Sequence, residues 1–363
     1  MAGAPMGDFE YEARPQQVAM ARAVADALEA NRHLVVEAGT GVGKSLAYLV
    51  PLILHAKRTG KRALVSTYTI ALQEQLVGKD LPLLKDRLGV PCRAVLVKGR
   101  MNYLCLRRLA RARSHQRELF PDGIGEELER IREWADRTED GSVQEMRRQP
   151  SAEAWSAVCA EHGNCLGAKC PARKRCFLQR ARAQMHDADL LVANHHLLFS
   201  DLALQREGAG FLPAVAAAVM DEAHTLEGVA SEHLGIRLSP HAFEHWLRRL
   251  FTPDTGKGLL GFLHAGPAAQ TVGHLWAAVP DLFHEVTRAA GLSAHVSHKS
   301  VPGPLTVASE VPGLLGELSD RLGALDKELE GRDEESRSEL RSLRGRGIAM
   351  GKMLEAFLGQ VLA

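Results

Sequence analysis

The 363-residue sequence has no apolar run near the ~18 residues needed to cross a bilayer, so no helical membrane span is expected. Its first residues, MAGAPMGDFEYEARPQQ, lack a basic start leading into an apolar core. No export signal is read there, and a cytoplasmic setting in which thiols stay reduced is expected. Net charge is scarce too: 45 Lys and Arg against 44 Asp and Glu leave +1, so the chain as a whole does not attract polyanions. The six cysteines include no Cys-x2-Cys pair of the kind common in structural zinc sites. What is present, 45% apolar and 25% charged residues, suits a globular chain with room for two or three domains.

The stretch from His33 reads HLVVEAGTGVGKSLAYLVPLIL. A β-branched run at Leu34–Val36 predicts a buried strand, followed by a glycine-rich turn and a helix from Lys44. The turn, Ala38, Gly39, Thr40, Gly41, Val42, Gly43, Lys44 and Ser45, fits GxxxxGKS with alanine for the first glycine. Small residues let the backbone curl so that successive N–H groups point at phosphate oxygens. Lys44 would reach the β and γ phosphates and Ser45 would hold Mg2+. Downstream, AAAVMDEAH places Asp221 and Glu222 after a small apolar run, Ala216–Met220, that reads as a strand covered on both faces. Carboxylates at a strand's C-terminal end suit Mg2+ (Asp221) and a general base for water (Glu222).

Charge is unevenly spread. Lys98–Arg113 and Asn164–His186 each hold six Lys or Arg and no acid, and both runs carry cysteines. That points to an anion-binding surface, nucleic acid being the natural candidate. The thiols stand at 92, 105, 159, 165, 170 and 176. A zinc site, a disulfide, an iron–sulfur cluster or chance would each fit the spacing alone.

DEAH after a strand, with AGTGVGKS upstream, resembles a superfamily 2 helicase. RALVSTYTIALQEQL (62–76) is similar to that family's motif Ia, which implies DNA contacts from Thr67, Thr69 and Gln73. RPQQ (14–17) resembles the adenine-reading Q motif, implying Gln17 and Arg14 at the base, with His224 also at the nucleotide. KGRMNYLC (98–105), CLGAKCPARKRC (165–176) and ADLLVANHHLLFSDL (188–202) together resemble the XPD and DinG branch. There the resemblance implies a [4Fe–4S] cluster on Cys105, Cys165, Cys170 and Cys176, in a module with little core of its own. Lys98, Arg100, Arg173, Lys174 and Arg175 become expected DNA contacts, and Tyr103 a base-stacking candidate. Cys92 reads as core and Cys159 as a leftover near the ligand set.

The fold class implied is α/β. A RecA-like P-loop lobe (1–98 and 188–230) with a parallel sheet is interrupted by a helical iron–sulfur module (99–187) and followed by a helical Arch-type domain (231–363). In that last part, Leu315, Leu318, Leu322, Leu325 and Leu329 step by three and four, a helix-packing seam. A second helical pattern runs from Ile348 to Leu362. Histidines at 241, 245, 264, 274, 284, 295 and 298 show no ligand-like grouping with acids and read as surface or packing residues. No motif VI and no second RecA-like lobe are found, so the chain reads as the N-terminal part of a longer motor that turns over ATP poorly alone.

The function implied is an ATP- and Mg2+-dependent 5′→3′ DNA helicase acting in repair or on unusual DNA. Its substrates would be single-stranded, forked or RNA–DNA hybrid, with a single-stranded-DNA-binding protein as partner, a monomeric state and a place at the nucleoid. The alternative is a non-motor, ATP-responsive iron–sulfur DNA-binding module.

Overall fold

The computed structural model describes residues 14–39, 41–89, 91–120, 123–206, 208–292 and 299–360. Thr40, His295, His298 and Leu362, all singled out above, lie outside the described residues. The chain divides into two compact units, 1–98 with 182–234, and 99–181 with 235–363. Among the described residues no helix is long and apolar enough to cross a membrane.

The first unit is an α/β layer. Helices α1 (Pro15–Glu29), α2 (Lys44–Thr59), α3 (Ile70–Gln75) and α4 (Leu81–Leu88) accompany strands β1 (Ala63–Thr67), β2 (Ala94–Leu96), β3 (Leu190–Asn194) and β4 (Ala217–Met220). The four strands form one parallel sheet in the order β2-β3-β1-β4. Side chains alternate across it, as the period of two requires. Ala63, Val65, Leu190 and Val192 pack with Leu49, Leu52 and Ile53 of α2. Leu64, Leu191 and Ala193 face the other way, onto Met185 and Leu198. Being covered on both faces, β1 and β3 are apolar almost throughout. Arg62 pins their starts, donating to the carbonyls of His186, Ala188 and Ala214.

Two strand expectations need correction. Leu34–Val36 forms no strand, and Val35 is 95% exposed. Strand identity depends on a ladder partner as much as on β-branched residues, and among the described residues none pairs with this stretch. Among the described residues β4 pairs with β1 alone, and it alternates half-buried with exposed rather than being covered on both faces.

The second unit carries the cysteine-rich segment and the helices beyond residue 235. Far from lacking a core, the cysteine-bearing part builds one from Tyr103, Leu104, Leu128, Ile131, Val158 and Phe177. Tyr103 is 5% exposed and bridges the backbone at Ser142. It is therefore a core residue rather than a platform for a base. Trp134 and Trp155 meet edge to face at 6.4 Å, and Trp155 donates to the Met101 carbonyl. The leucine seam lies on helix Val311–Glu328, with Leu315, Leu318 and Leu322 buried. Together with helices Pro240–Leu250, Gly266–Ala289 and Glu334–Gly359 it encloses Phe243 and Trp246.

Glu161 joins these parts. It is 5% exposed and accepts from Arg249 and Arg346, with Arg108 at 3.6 Å. Burial alone would raise its carboxyl pKa, but Arg249's hydrogen bonds and the charges of Arg249, Arg108 and Arg346 outweigh that and hold it at about 2, from an ordinary 4.5. A depressed carboxyl stabilises the fold above its unfolded pKa, and that contribution is lost as pH falls through the folded value. Glu161→Gln should therefore destabilise this unit by about 3 kcal/mol at pH 7. In stepwise-pH urea unfolding followed by tryptophan fluorescence, the gap to wild type should close between about pH 4.5 and 2. A gap independent of pH would exclude this role for the carboxylate.

Candidate nucleotide, nucleic-acid and metal sites

The candidate nucleotide site lies where β1 and β4 end. Gly41 and Gly43 take φ of 79° and 83°, left-handed values that suit glycine, and α2 begins at Lys44 directly after this curl. The Lys44 Nζ lies 3.4 Å from Glu222 Oε1, so the loop lysine and the DEAH carboxylate meet although 178 residues separate them. Both side chains are 31% exposed, open to a ligand yet partly shielded from water. Glu222 itself sits at φ 57°. For a residue with a side chain that costs roughly 1–2 kcal/mol, and such strain concentrates at functional positions. His224 is 75% exposed and stands 3.6 Å from Glu222 Oε2.

The two Q-motif side chains grip the loop. Arg14 donates to the Gly41 carbonyl, and Gln17 donates to the Gly43 carbonyl at 2.9 Å. A Cβ on Gly43 would lie 2.2 Å from the Gln17 amide nitrogen, whereas a Cβ on Gly39 would meet nothing.

Three residues that the sequence reading passed over complete the site. Tyr48, one turn after Ser45, donates from its phenol to Asp221 Oδ2 at 3.1 Å. Burial first, and then the Asp221 charge, push that phenol's pKa far up, so it stays a donor. Asp80 is 7% exposed, and burial raises its pKa despite the nearby side chains of Gln75 and Ser45. Among the described residues its Oδ2 has no hydrogen-bond partner. His195, fully buried, contacts Ser66 and the Asp221 carbonyl. Sequence order hides two of them: Tyr48 and Asp221 are 173 positions apart, Ser66 and His195 129. The donor set, Ser45 hydroxyl with Asp221 and an orphaned Asp80 oxygen, is all oxygen and fits a hard cation such as Mg2+.

The motif Ia residues separate. Thr69 is exposed and caps α3 by accepting from the Leu72 N–H. Thr67 and Gln73 are buried, at 0% and 4% exposed. In the other unit Arg173, Lys174 and Arg175 are exposed on one short turn. Lys98 and Arg100 are half-buried.

All six cysteines are free. Cys105 caps the helix Leu106–Ser114, and Cys176 immediately precedes the helix Phe177–His186. Burial raises the Cys176 thiol pKa most. The N–H groups of Gln179 and Leu178 oppose that, while Cys105 and Cys165 add to it, so these three thiols sense one another. Cys170 lies on the same pair of turns, its carbonyl accepting from Arg173. Among the described residues no group of three or more His, Cys, Asp or Glu converges as it would on a single ion. The chemistry of the donor set, four free thiols on neighbouring short turns and helix starts, is the kind that iron–sulfur clusters use. Cys159 is instead buried under Arg108, and Cys92 borders the sheet core with its pKa pushed up to about 11 by burial.

Residues 15–115 match the family described as "DEAD/DEAH box helicase". Over part of its length the chain is similar to that family. It is 39% identical over 231 residues to the ATP-dependent DNA helicase YoaA of Escherichia coli (strain K12), covering 63% of this chain and 36% of that protein. It is 43% identical over 230 residues to the ATP-dependent helicase DinG of Mycobacterium tuberculosis (strain ATCC 25618 / H37Rv), covering 59% and 34%. The chain thus spans about a third of the length of these relatives. A solved chain described as "Truncated XPD" aligns at 15% identity with a TM-score of 0.41, covering 91% of this chain and 81% of that one.

Within the matched residues 15–115 the loop glycines give a sharp contrast. Gly43→Ala should cost more than about 1 kcal/mol, because its φ is positive and Gln17 occupies the space. Gly39→Ala should stay within about 0.5 kcal/mol. Thermal melts of the two variants test this, and equal shifts would contradict the loop geometry.

Proposed function

We propose that this chain is the ATP- and DNA-binding part of a DinG-type helicase, tracking 5′→3′ on single-stranded DNA in repair or on forked and hybrid structures. The observation that carries the reading is the meeting of Lys44 with Glu222 beside Asp221 at the ends of parallel strands, where ligands of open α/β sheets sit. Loop N–H groups from 38 to 45 bind the phosphates, and Lys44 leaves Glu222 to pair with them. Glu222, so released, orients water and accepts its proton. Ser45 and Asp221 would hold Mg2+, which supplies charge neutralisation at the phosphates. Arg14 and Gln17, already on the loop carbonyls, are placed to link base binding to loop shape, and His224 lines the open side of Glu222.

DNA binding falls to cations. The exposed Arg173, Lys174 and Arg175, with the half-buried Lys98 and Arg100, contact phosphates, and Thr69 contributes from motif Ia. Thr67 and Gln73 support that turn from inside. Cys105, Cys165, Cys170 and Cys176 would hold a [4Fe–4S] cluster, which supplies a covalent staple carrying about −2 with its thiolates. The neighbouring basic turn offsets that charge. Nucleoid association and a single-stranded-DNA-binding protein as partner belong to the same reading.

Four measurements on purified, anaerobically reconstituted protein test it. Lys44→Ala should abolish binding of a fluorescent ATP analogue. Cys176→Ser should lose bound iron while Cys159→Ser keeps it. Replacing Arg173, Lys174 and Arg175 together with alanine should flatten the log–log salt dependence of single-strand binding by about 2, at ~0.7 per phosphate contact. ATP turnover stimulated by single-stranded DNA supports a motor, whereas binding of both without turnover supports the ATP-responsive binding module. Unchanged nucleotide affinity in Lys44→Ala would sink the assignment.

A further inference from the structure

Ser66, His195 and Asp221 close a ring of hydrogen bonds inside the sheet-bearing unit. The Asp221 N–H donates to the Ser66 carbonyl at 2.8 Å. The Asp221 carbonyl lies 2.8 Å from His195 Nε2. The other ring nitrogen, Nδ1, lies 2.7 Å from Ser66 Oγ. A carbonyl can only accept, so Nε2 carries the proton; Nδ1 is then the acceptor and the Ser66 hydroxyl the donor. Ser66 and His195 are both 0% exposed, so water cannot substitute for any member.

The ring holds one particular peptide. The carbonyl that His195 grips belongs to Asp221, and the next residue is Glu222, whose φ of 57° an ordinary side chain resists. The Asp221 carboxylate is fixed separately, Oδ2 by the Tyr48 phenol and Oδ1 by the Glu222 N–H. The backbone clamp and the side-chain clamp act on the same residue from different elements: β1 and the start of helix His195–Arg206 for one, α2 for the other. Apolar packing alone would place a leucine or valine at the end of β3, not an imidazole with both nitrogens engaged.

We propose that His195, locked by Ser66, is a positioning residue that sets the Mg2+ affinity of the nucleotide site by holding the Asp221–Glu222 peptide, without touching nucleotide itself. The inference rests on the reading of 38–45 and 221–222 as a Mg2+·ATP site and adds what determines its metal affinity. Partners one step removed from a metal ligand typically change affinity 10- to 100-fold when lost.

The test is Mg2+ titration of a fluorescent ATP analogue bound to the full chain, alongside nucleotide affinity in EDTA. His195→Ala should weaken the Mg2+-dependent part about tenfold. Ser66→Ala should weaken it less, in the same direction, and His195→Gln should recover part of it through its amide N–H. EDTA affinity should stay within about twofold in all three, because the phosphate loop is untouched. Unchanged Mg2+ titrations, or equal losses with and without Mg2+, would overturn the proposal. So would a wild type that binds nucleotide with no Mg2+ dependence. A wild type that binds no nucleotide in either condition would instead remove the functional reading on which it rests. If His195→Ala does not fold, Ser66→Ala and His195→Gln decide.

Discussion

The register of β1 against its neighbours is the constraint on which the site depends. Ala63 stands opposite Ala217 on one side and Leu190 on the other, and the pairing carries forward to Ser66 opposite Met220 and Ala193. That alignment delivers Asp221 to the Ser66 carbonyl and His195 to the Ser66 hydroxyl. A slip of one residue would turn Ser66 to the other face and break both contacts, while exchanging the two apolar faces of the sheet. The apolar alternation of Ala63, Leu64 and Val65 therefore does two jobs: it buries the strand, and it fixes where the DEAH carboxylates stand relative to Lys44. The ion pair of Lys44 with Glu222 follows from a register set by hydrophobic side chains.

What could be read from the sequence follows how local each cause is. The tight curl before α2 was legible because its positive-φ positions, 41 and 43, carry glycine. The passage from β1 into α3 was legible too, since Thr69 caps its own helix three residues on. Leu34–Val36 misled because β-branched residues report a preference, while a strand requires a neighbour. Tyr103 misled because a tyrosine among cations looks like a stacking surface; its bridge to Ser142 turns it into the core instead. Thr67 and Gln73 sit on the motif as expected but face inward. Tyr48, Asp80 and His195 went unread because nothing local marks a side chain whose partner lies more than a hundred residues away or whose environment is made by burial.

The second unit follows a different rule. Its cysteine turns carry cations outward, while farther inside a buried glutamate collects arginines from distant helices. Removing water from so many charges is unfavourable unless each is paired, which makes Glu161 a single point of failure for the packing of the helices around it. The thiols lie elsewhere: Cys105 and Cys176 stand at helix N-termini, and burial raises the Cys176 pKa although the N–H groups of Gln179 and Leu178 oppose it. One unit thus gathers a lysine and carboxylates at the ends of its strands, and the other carries its thiols and exposed cations on short turns.

Hydrogen–deuterium exchange with and without Mg2+·ATP analogue asks whether loop and DEAH strand form the proposed nucleotide site through the β1 register. Residues 38–45, 63–67 and 217–224 should then gain protection together on binding. Protection confined to 38–45, with 217–224 exchanging as in the free protein, would contradict it.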